Sequence, residues 1–414
     1  MTMRFYFPDS QDQIDPSFDF ATEERSPFRI RQRDDRYAHE VLSPSPYVGM
    51  LVSKAIVDGI SGAAGKYSAQ QRQRLYRVGI REFFRLHGEA IDTMGDCGAF
   101  TYVREDTPPY KVDEVIDFYE NCGFDSGISL DHVILGFDID AGVDDEAVDE
   151  EWRRRRELTI GLAAEFLTRH AERRCSFEPV GVAQGWSPAS YARSVEQLQE
   201  IGYERIAVGG LVAQKTDEIL AVLKAIDRVR VRGVTRMHLL GVTRCESIPR
   251  FADYGVTSFD STSPFRQSFK DDRDNYYALD RQWIALRVPQ VEGNPKLERS
   301  IRAGDIDQAR ARRLERNALA KLAAFDRGAS DVESVVAALR EYEELHDTKR
   351  DRSAAYREVL EAAPWKDCSC EVCTGAGIQV MIFRGTERNK RRGFHNLHVF
   401  AQRLERELMG ATVA

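Results

Sequence analysis

No stretch of the 414 residues approaches the roughly 20 consecutive apolar residues that a membrane-spanning helix needs. The N-terminus, MTMRFYFPDSQDQIDPSFDF, has neither the basic flank nor the apolar core of a secretion signal, so a cytoplasmic protein is expected. Cysteine is scarce. Of seven, three fall within 368–373, and Cys97, Cys122, Cys175 and Cys245 are scattered, a pattern for one metal site plus buried thiols rather than a disulfide framework. No G-x-G-x-x-G follows the first apolar run, which argues against an open dinucleotide-binding sheet, and no internal repeat is evident. Positive charge is not in excess either. The net charge of −8 excludes a wholly basic nucleic-acid coat, so phosphate binding would require a concentrated basic strip. What remains, 42% hydrophobic and 30% charged residues, is the composition of an ordinary globular chain.

From about 46 to 265, short apolar runs alternate with amphipathic helical stretches. The runs are LVSKAIV (51–57), GISLDHVI (127–134), PVGVAQ (179–184), RIAVGG (205–210), RMHLLGV (236–242) and GVTSFDS (255–261). Helical periodicity marks 71–87, 149–174, 191–202 and 216–230. Strands alternating with helices at this pitch imply parallel βαβ units, and six or more of them in this length favour a closed (β/α)8 TIM barrel. Residues 1–45, rich in Asp, Arg, Pro and aromatics without periodicity, read as an N-terminal arm. The barrel core is then expected over 46–290, a charged helical insertion over 291–365, and a zinc-binding segment with a C-terminal helix over 366–414.

In such a barrel the polar residues that close the strands face the active-site mouth. Asp96 in TMGDCGAF, Asp131 after GISL, Gln184 in VAQGW and Asp260 in SFDS all stand at predicted strand ends. AVGGL (207–211) and LLGV (239–242) add glycines through which backbone can approach a flat ligand. Two carboxylates meeting there suit glycosyl transfer: one attacks the anomeric carbon, the other moves a proton to or from the departing base. A single such aspartate is more often a helix cap or a surface ion-pair partner, but all of these fall at strand ends. Tyr47, Phe100 and Tyr102 could stack a base near the mouth, although aromatics at such positions are more often core.

Cys368, Cys370 and Cys373, in the spacing Cys-x-Cys-x-x-Cys, together with a histidine make a closed tetrahedral set of the structural kind; His395 and His398 both lie within reach. Between them runs FRGTERNKRRGFHN (383–396), where Arg384, Arg388, Lys390, Arg391 and Arg392 crowd one segment. Such a run is either a solvated face or, braced by a metal, a phosphate clamp.

The ordered set DCGAF, the Asp131 segment, VAQG, AVGGL, LLGV, FDS and CxCxxC followed by HN resembles the tRNA-guanine transglycosylase superfamily over about residues 90–400. FYFPDSQDQIDPSFDF, YVGMLVSKAIVDG, GDCGAF and RGTERNKRRGFHN are similar to its DNA-directed branch, the DNA 7-deazaguanine transglycosylases called DpdA. The resemblance implies that Asp260 is the nucleophile and Asp96 the general acid/base. It implies that Asp131, Gln184, Gly209 and Gly210 read the edge of guanine or 7-deazaguanine, with Leu240 against the base plane, and that His395 completes a structural zinc site. The substrates implied are DNA, or alternatively tRNA, and a 7-deazaguanine such as preQ0, with no organic cofactor. Restriction-modification helper proteins and a homodimer are compatible with it. A non-catalytic nucleic-acid-binding relative should have lost the aspartates, whereas Asp96 and Asp260 are both present. Where bacterial tRNA enzymes carry VLPTR-like residues after the nucleophile, this chain has Ser261, Thr262, Ser263, Pro264, Phe265 and Arg266, and the interval from Cys373 to His395 is shorter. Both departures point to a different polynucleotide.

Overall fold

The computed structural model describes residues 3–60, 62–87, 90–270 and 274–413. Eight strands close a barrel: β1 (Arg4–Pro8), β2 (Gly49–Ser53), β3 (Asp92–Asp96), β4 (Ser126–Ile128), β5 (Glu178–Ala183), β6 (Arg205–Val208), β7 (Arg236–Leu239) and β8 (Val256–Asp260). Neighbours in chain order pair in parallel, and β1 pairs with β8 to complete the ring. This is the (β/α)8 TIM barrel that the alternating pattern predicts.

The crossovers include α1 (Ala69–Phe84), α2 (Val112–Cys122), α3 (Glu150–Arg173), α4 (Pro188–Ile201) and α5 (Thr216–Asp227). Helix α4 shows why the boundaries fall where they do. The Ser187 hydroxyl accepts from Ser190 N–H, Pro188 occupies the first turn, and Gly202 ends the helix in the left-handed region at φ 118°. Inside the barrel Tyr6, Leu51, Met94, Ile128, Val180, Val182 and Ala207 form one buried cluster, with Leu240 packed against it. Period-2 alternation delivers them there, one inward side chain per pleat.

The opposite, N-terminal end of the strands is ionic. Arg205 reaches Glu178 at 2.9 Å and the Tyr6 hydroxyl at 3.3 Å. Arg236 reaches the other Glu178 oxygen at 2.5 Å, the Tyr6 hydroxyl donates to Asp92 at 3.0 Å, and Arg4 pairs with Asp92.

By compactness the chain divides into two units, one of residues 1–11, 47–262 and 404–414, the other of 12–46 and 263–403. The expected arm is therefore partitioned. Residues 4–8 are a barrel strand, because RFYFP finds partners on both edges in β2 and β8. LVSKAIV is likewise only half strand, since Lys54–Asp58 turn into a short helix. In the second unit lie α6 (Pro295–Ala303), α7 (Gln308–Asp326), α8 (Val332–Glu343), α9 (Ser353–Ala362) and most of α10 (Gly385–Val413). Helix α7 buries Ala311, Leu314, Ala318 and Leu322, a helical stripe, and packs on α8, which packs on α9. Among the described residues no helix is long and apolar enough to cross a membrane.

Candidate active site and metal centre

Because all eight strands run the same way, the residues that close them gather at one mouth. Asp96 ends β3 and Asp260 ends β8. Asp131 lies just beyond β4, Gln184 follows β5, Gly209 and Gly210 follow β6, and Leu240 follows β7. Asp131 is buried and doubly held: Gln184 Nε2 donates to Oδ2 at 2.7 Å and Cys97 Sγ donates to Oδ1 at 3.1 Å. The Gln184 Oε1 accepts from Ile134 N–H at 3.3 Å, which fixes the amide orientation. A side chain at Gly209 would collide with that amide, and Gly210 adopts φ +76°, so both positions require glycine. The Tyr191 hydroxyl clamps the Gly209 carbonyl at 2.8 Å.

Asp96 accepts a 2.6 Å hydrogen bond from the Ser53 hydroxyl. Its burial, reinforced by the nearby charges of Asp131 and Asp260, raises its pKa to about 7. Burial also raises Asp131, even though Cys97 and Gln184 stabilise its ionised form. Among the described residues no lysine or arginine pairs with Asp96, Asp131 or Asp260; the histidine that does is His238, whose Nε2 lies 3.2 Å from Asp260 Oδ1. Burial holds the His238 pKa below its usual value. Gly241 N–H donates to the same Oδ1 at 3.1 Å. The arrangement pairs one carboxyl poised to exchange a proton near neutral pH with another held as an oriented oxygen base or nucleophile.

In the second unit Cys368, Cys370, Cys373 and His395 converge, their four donor atoms all within 4.8 Å of one another. His395 Nδ1 lies 3.4, 3.6 and 3.3 Å from the three sulfurs in that order. In a tetrahedron with metal–sulfur and metal–nitrogen bonds of about 2.3 and 2.0 Å, the S···N edge is about 3.5 Å, so the cluster fits a zinc-sized ion. The His395 Nε2–H donates to the Tyr277 carbonyl at 2.7 Å, which leaves Nδ1 as the ligand atom, and the Tyr276 ring stacks on the imidazole at 4.0 Å. The histidine left open by spacing is thereby placed.

A family profile described as queuine tRNA-ribosyltransferase matches residues 79–278. A relative from Salmonella montevideo named DNA-guanine transglycosylase is 48% identical over 407 residues, covering 97% of each chain. The chain belongs to the guanine transglycosylase superfamily. A queuine tRNA-ribosyltransferase from Stenotrophomonas maltophilia (strain R551-3) is 32% identical, but over 146 residues, which are 35% of this chain and 38% of that protein.

For a transglycosylase, the fate of the basic strip is a correction. Arg384, Arg388, Arg391 and Arg392 are buried, so they do not form a phosphate-facing surface. Arg384 makes ion pairs with Glu23 at 2.6 Å and Glu315 at 2.7 Å, and Arg388 pairs with the same Glu23. Arg391 pairs with Glu387 at 2.8 Å and donates to the Asp15 carbonyl, while Lys390 donates to the Gln13 carbonyl at 2.7 Å. Arg392 is spent on the carbonyls of Val380, Ile382 and Ser268. Buried guanidiniums must be paired, and here they pin residues 13–23 to α10. The aromatic candidates also divide. Tyr47 is core, stacked on Phe7, and Tyr102 is buried with its hydroxyl 3.0 Å from Cys97 Sγ and 3.1 Å from the Asp131 carbonyl, its single hydrogen shared between the two. Phe100 is 53% exposed. Sequence reading passed over Ser53, Cys97 and His238 as site residues. A histidine in the middle of the apolar run RMHLLGV was the signal available for the last of them.

Proposed function

We propose that the protein exchanges guanine in DNA for a 7-deazaguanine base such as preQ0 through a covalent aspartyl intermediate. The observation that carries this is the near-full-length match to the DNA-guanine transglycosylase, set against a match to the tRNA enzyme that spans barely a third of the chain. A target guanine must leave the stack to expose its glycosidic bond. Asp260 then forms a bond to C1′ as the C1′–N bond breaks, and the departing guanine takes a proton from Asp96. The incoming base returns a proton to Asp96 as its nitrogen attacks C1′ and the ester opens. Two displacements retain configuration. A pKa near 7 suits Asp96 to both directions of that transfer. Asp131, Gln184 and the backbone at Gly209 and Gly210 present donors and acceptors to the base edge, and Leu240 packs against its plane.

Cys368, Cys370, Cys373 and His395 would hold a structural Zn2+; four protein ligands leave no open position for chemistry. Chelation should therefore lower thermal stability, and chemistry only as far as the protein unfolds. The decisive experiment follows labelled guanine or preQ0 into duplex DNA and into tRNA, with the intact chain and with Asp260→Ala. Incorporation into DNA that the substitution abolishes is expected. Incorporation into tRNA alone, which the queuine-type profile over 79–278 would favour, overturns the DNA reading.

A further inference from the structure

We propose that His238 is the positioning residue that aims Asp260, holding Oδ1 so that Oδ2 is the oxygen that attacks. This rests on the reading of Asp260 as nucleophile.

The placement follows from strand register. His238 on β7 stands directly opposite Ser258 on β8, and Asp260 lies two residues further along β8, so Ser258 and Asp260 point to the same inward face. The imidazole bridges them, with Nδ1 2.8 Å from Ser258 Oγ and Nε2 3.2 Å from Asp260 Oδ1. An ionised carboxylate can only accept, so Nε2 carries the hydrogen. Nδ1 is then an acceptor, and the Ser258 hydroxyl must donate to it. The chain thus has one polarity: Ser258 to His238 to Asp260. Ser258 and His238 are both buried, and the edge of Tyr6 closes on the imidazole at a ring separation of 5.6 Å.

The consequence lies in how the two carboxylate oxygens differ. Oδ1 receives two hydrogen bonds, from His238 Nε2 and Gly241 N, and among the described residues none is donated to Oδ2. A twice-bonded oxygen is the poorer nucleophile and the better anchor. In the first displacement an Oδ2 lone pair forms the bond to C1′ while the glycosidic pair leaves with guanine. Oδ1 becomes the ester carbonyl and keeps both donors. In the second, the Oδ2–C1′ pair returns to Oδ2. A neutral imidazole donor serves this better than an imidazolium, which would hold the negative charge too firmly.

Two variants separate aiming from architecture. His238→Gln retains an N–H donor and should keep most of kcat. His238→Leu removes it and should lose kcat by about 10- to 100-fold, as expected for one hydrogen bond to a charged group, with KM for the free base within twofold. Unchanged kcat in His238→Leu, or equal loss in both variants together with a raised KM, overturns the proposal. Should His238→Leu fail to fold, Ser258→Ala replaces it: kcat lower by several-fold with KM unchanged supports the chain, and unchanged kcat overturns it. Nitrogen-15 NMR of the histidine-labelled chain gives a readout that needs no activity. His238 should appear as the Nε2–H tautomer and change in Asp260→Asn; an Nδ1–H tautomer or an imidazolium at pH 7 overturns the assignment. A chain that exchanges no base into DNA defeats the functional reading alone, because the NMR result still decides the geometry, and exchange into tRNA would let the same kcat comparison be made there.

Discussion

The two ends of the barrel place charge in opposite ways. At the N-terminal end Arg205, Arg236, Glu178, Asp92 and Arg4 meet with opposite signs adjacent, so each charge has a partner. At the C-terminal mouth Asp96, Asp131 and Asp260 share one sign, and among the described residues their partners are hydroxyl, thiol, amide and imidazole donors with no lysine or arginine. Burying a carboxylate costs stability and like charges beside it add to that cost, and the raised pKa of Asp96 is the form the cost takes. One end neutralises its charges pairwise, and the other gathers carboxylates of one sign.

The sharpest way to break that contrast is Asp260→Ala. Exchange into DNA should fall by at least about 10³-fold, some 4 kcal/mol of barrier, with the thermal midpoint unchanged or raised. A melting curve beside the labelled-base assay checks both halves. Next in size is Arg205→Ala at the other end. It leaves Glu178 and the Tyr6 hydroxyl short of a donor and should cost about 2 kcal/mol in urea unfolding, while exchange per folded molecule stays near normal.

A smaller effect should appear in pH dependence. With a folded pKa near 7 above an ordinary value of 3.8, the folded state binds the Asp96 proton more tightly than the unfolded state. Stability contributed by that group is complete below about pH 4 and is lost as pH rises through 7. Asp96→Asn should accordingly raise the melting temperature over wild type at pH 8 and not at pH 4; an equal gain at both would remove the contrast. The smallest change is expected for Arg236→Ala, whose side chain is 43% exposed: less than about 0.5 kcal/mol, because solvent screens the pair.

Much of this was legible because it is local. Short apolar runs marked most barrel strands, and aspartates just after them pointed to the mouth, since a parallel barrel sends every strand end to the same side. The CxCxxC spacing marked three of the four converging side chains because that pattern is written within six residues. Strand β1 was hidden. RFYFP in a Pro- and Asp-rich stretch becomes a strand only because two edges await it. The basic strip was misread because its partner Glu23 lies 361 residues from Arg384, and no local rule distinguishes an arginine that faces phosphate from one that faces a buried glutamate.

Spacing along the chain was enough for the barrel, the carboxylates at its mouth and a cysteine cluster able to hold a metal. Only the tertiary structure decided that His395 and not His398 completes that cluster, that the arginines of 384–392 are internal struts, and that His238 meets Asp260. Those outcomes depend on register and on which distant segments share a surface, and register is set when strands pair, not when they are written.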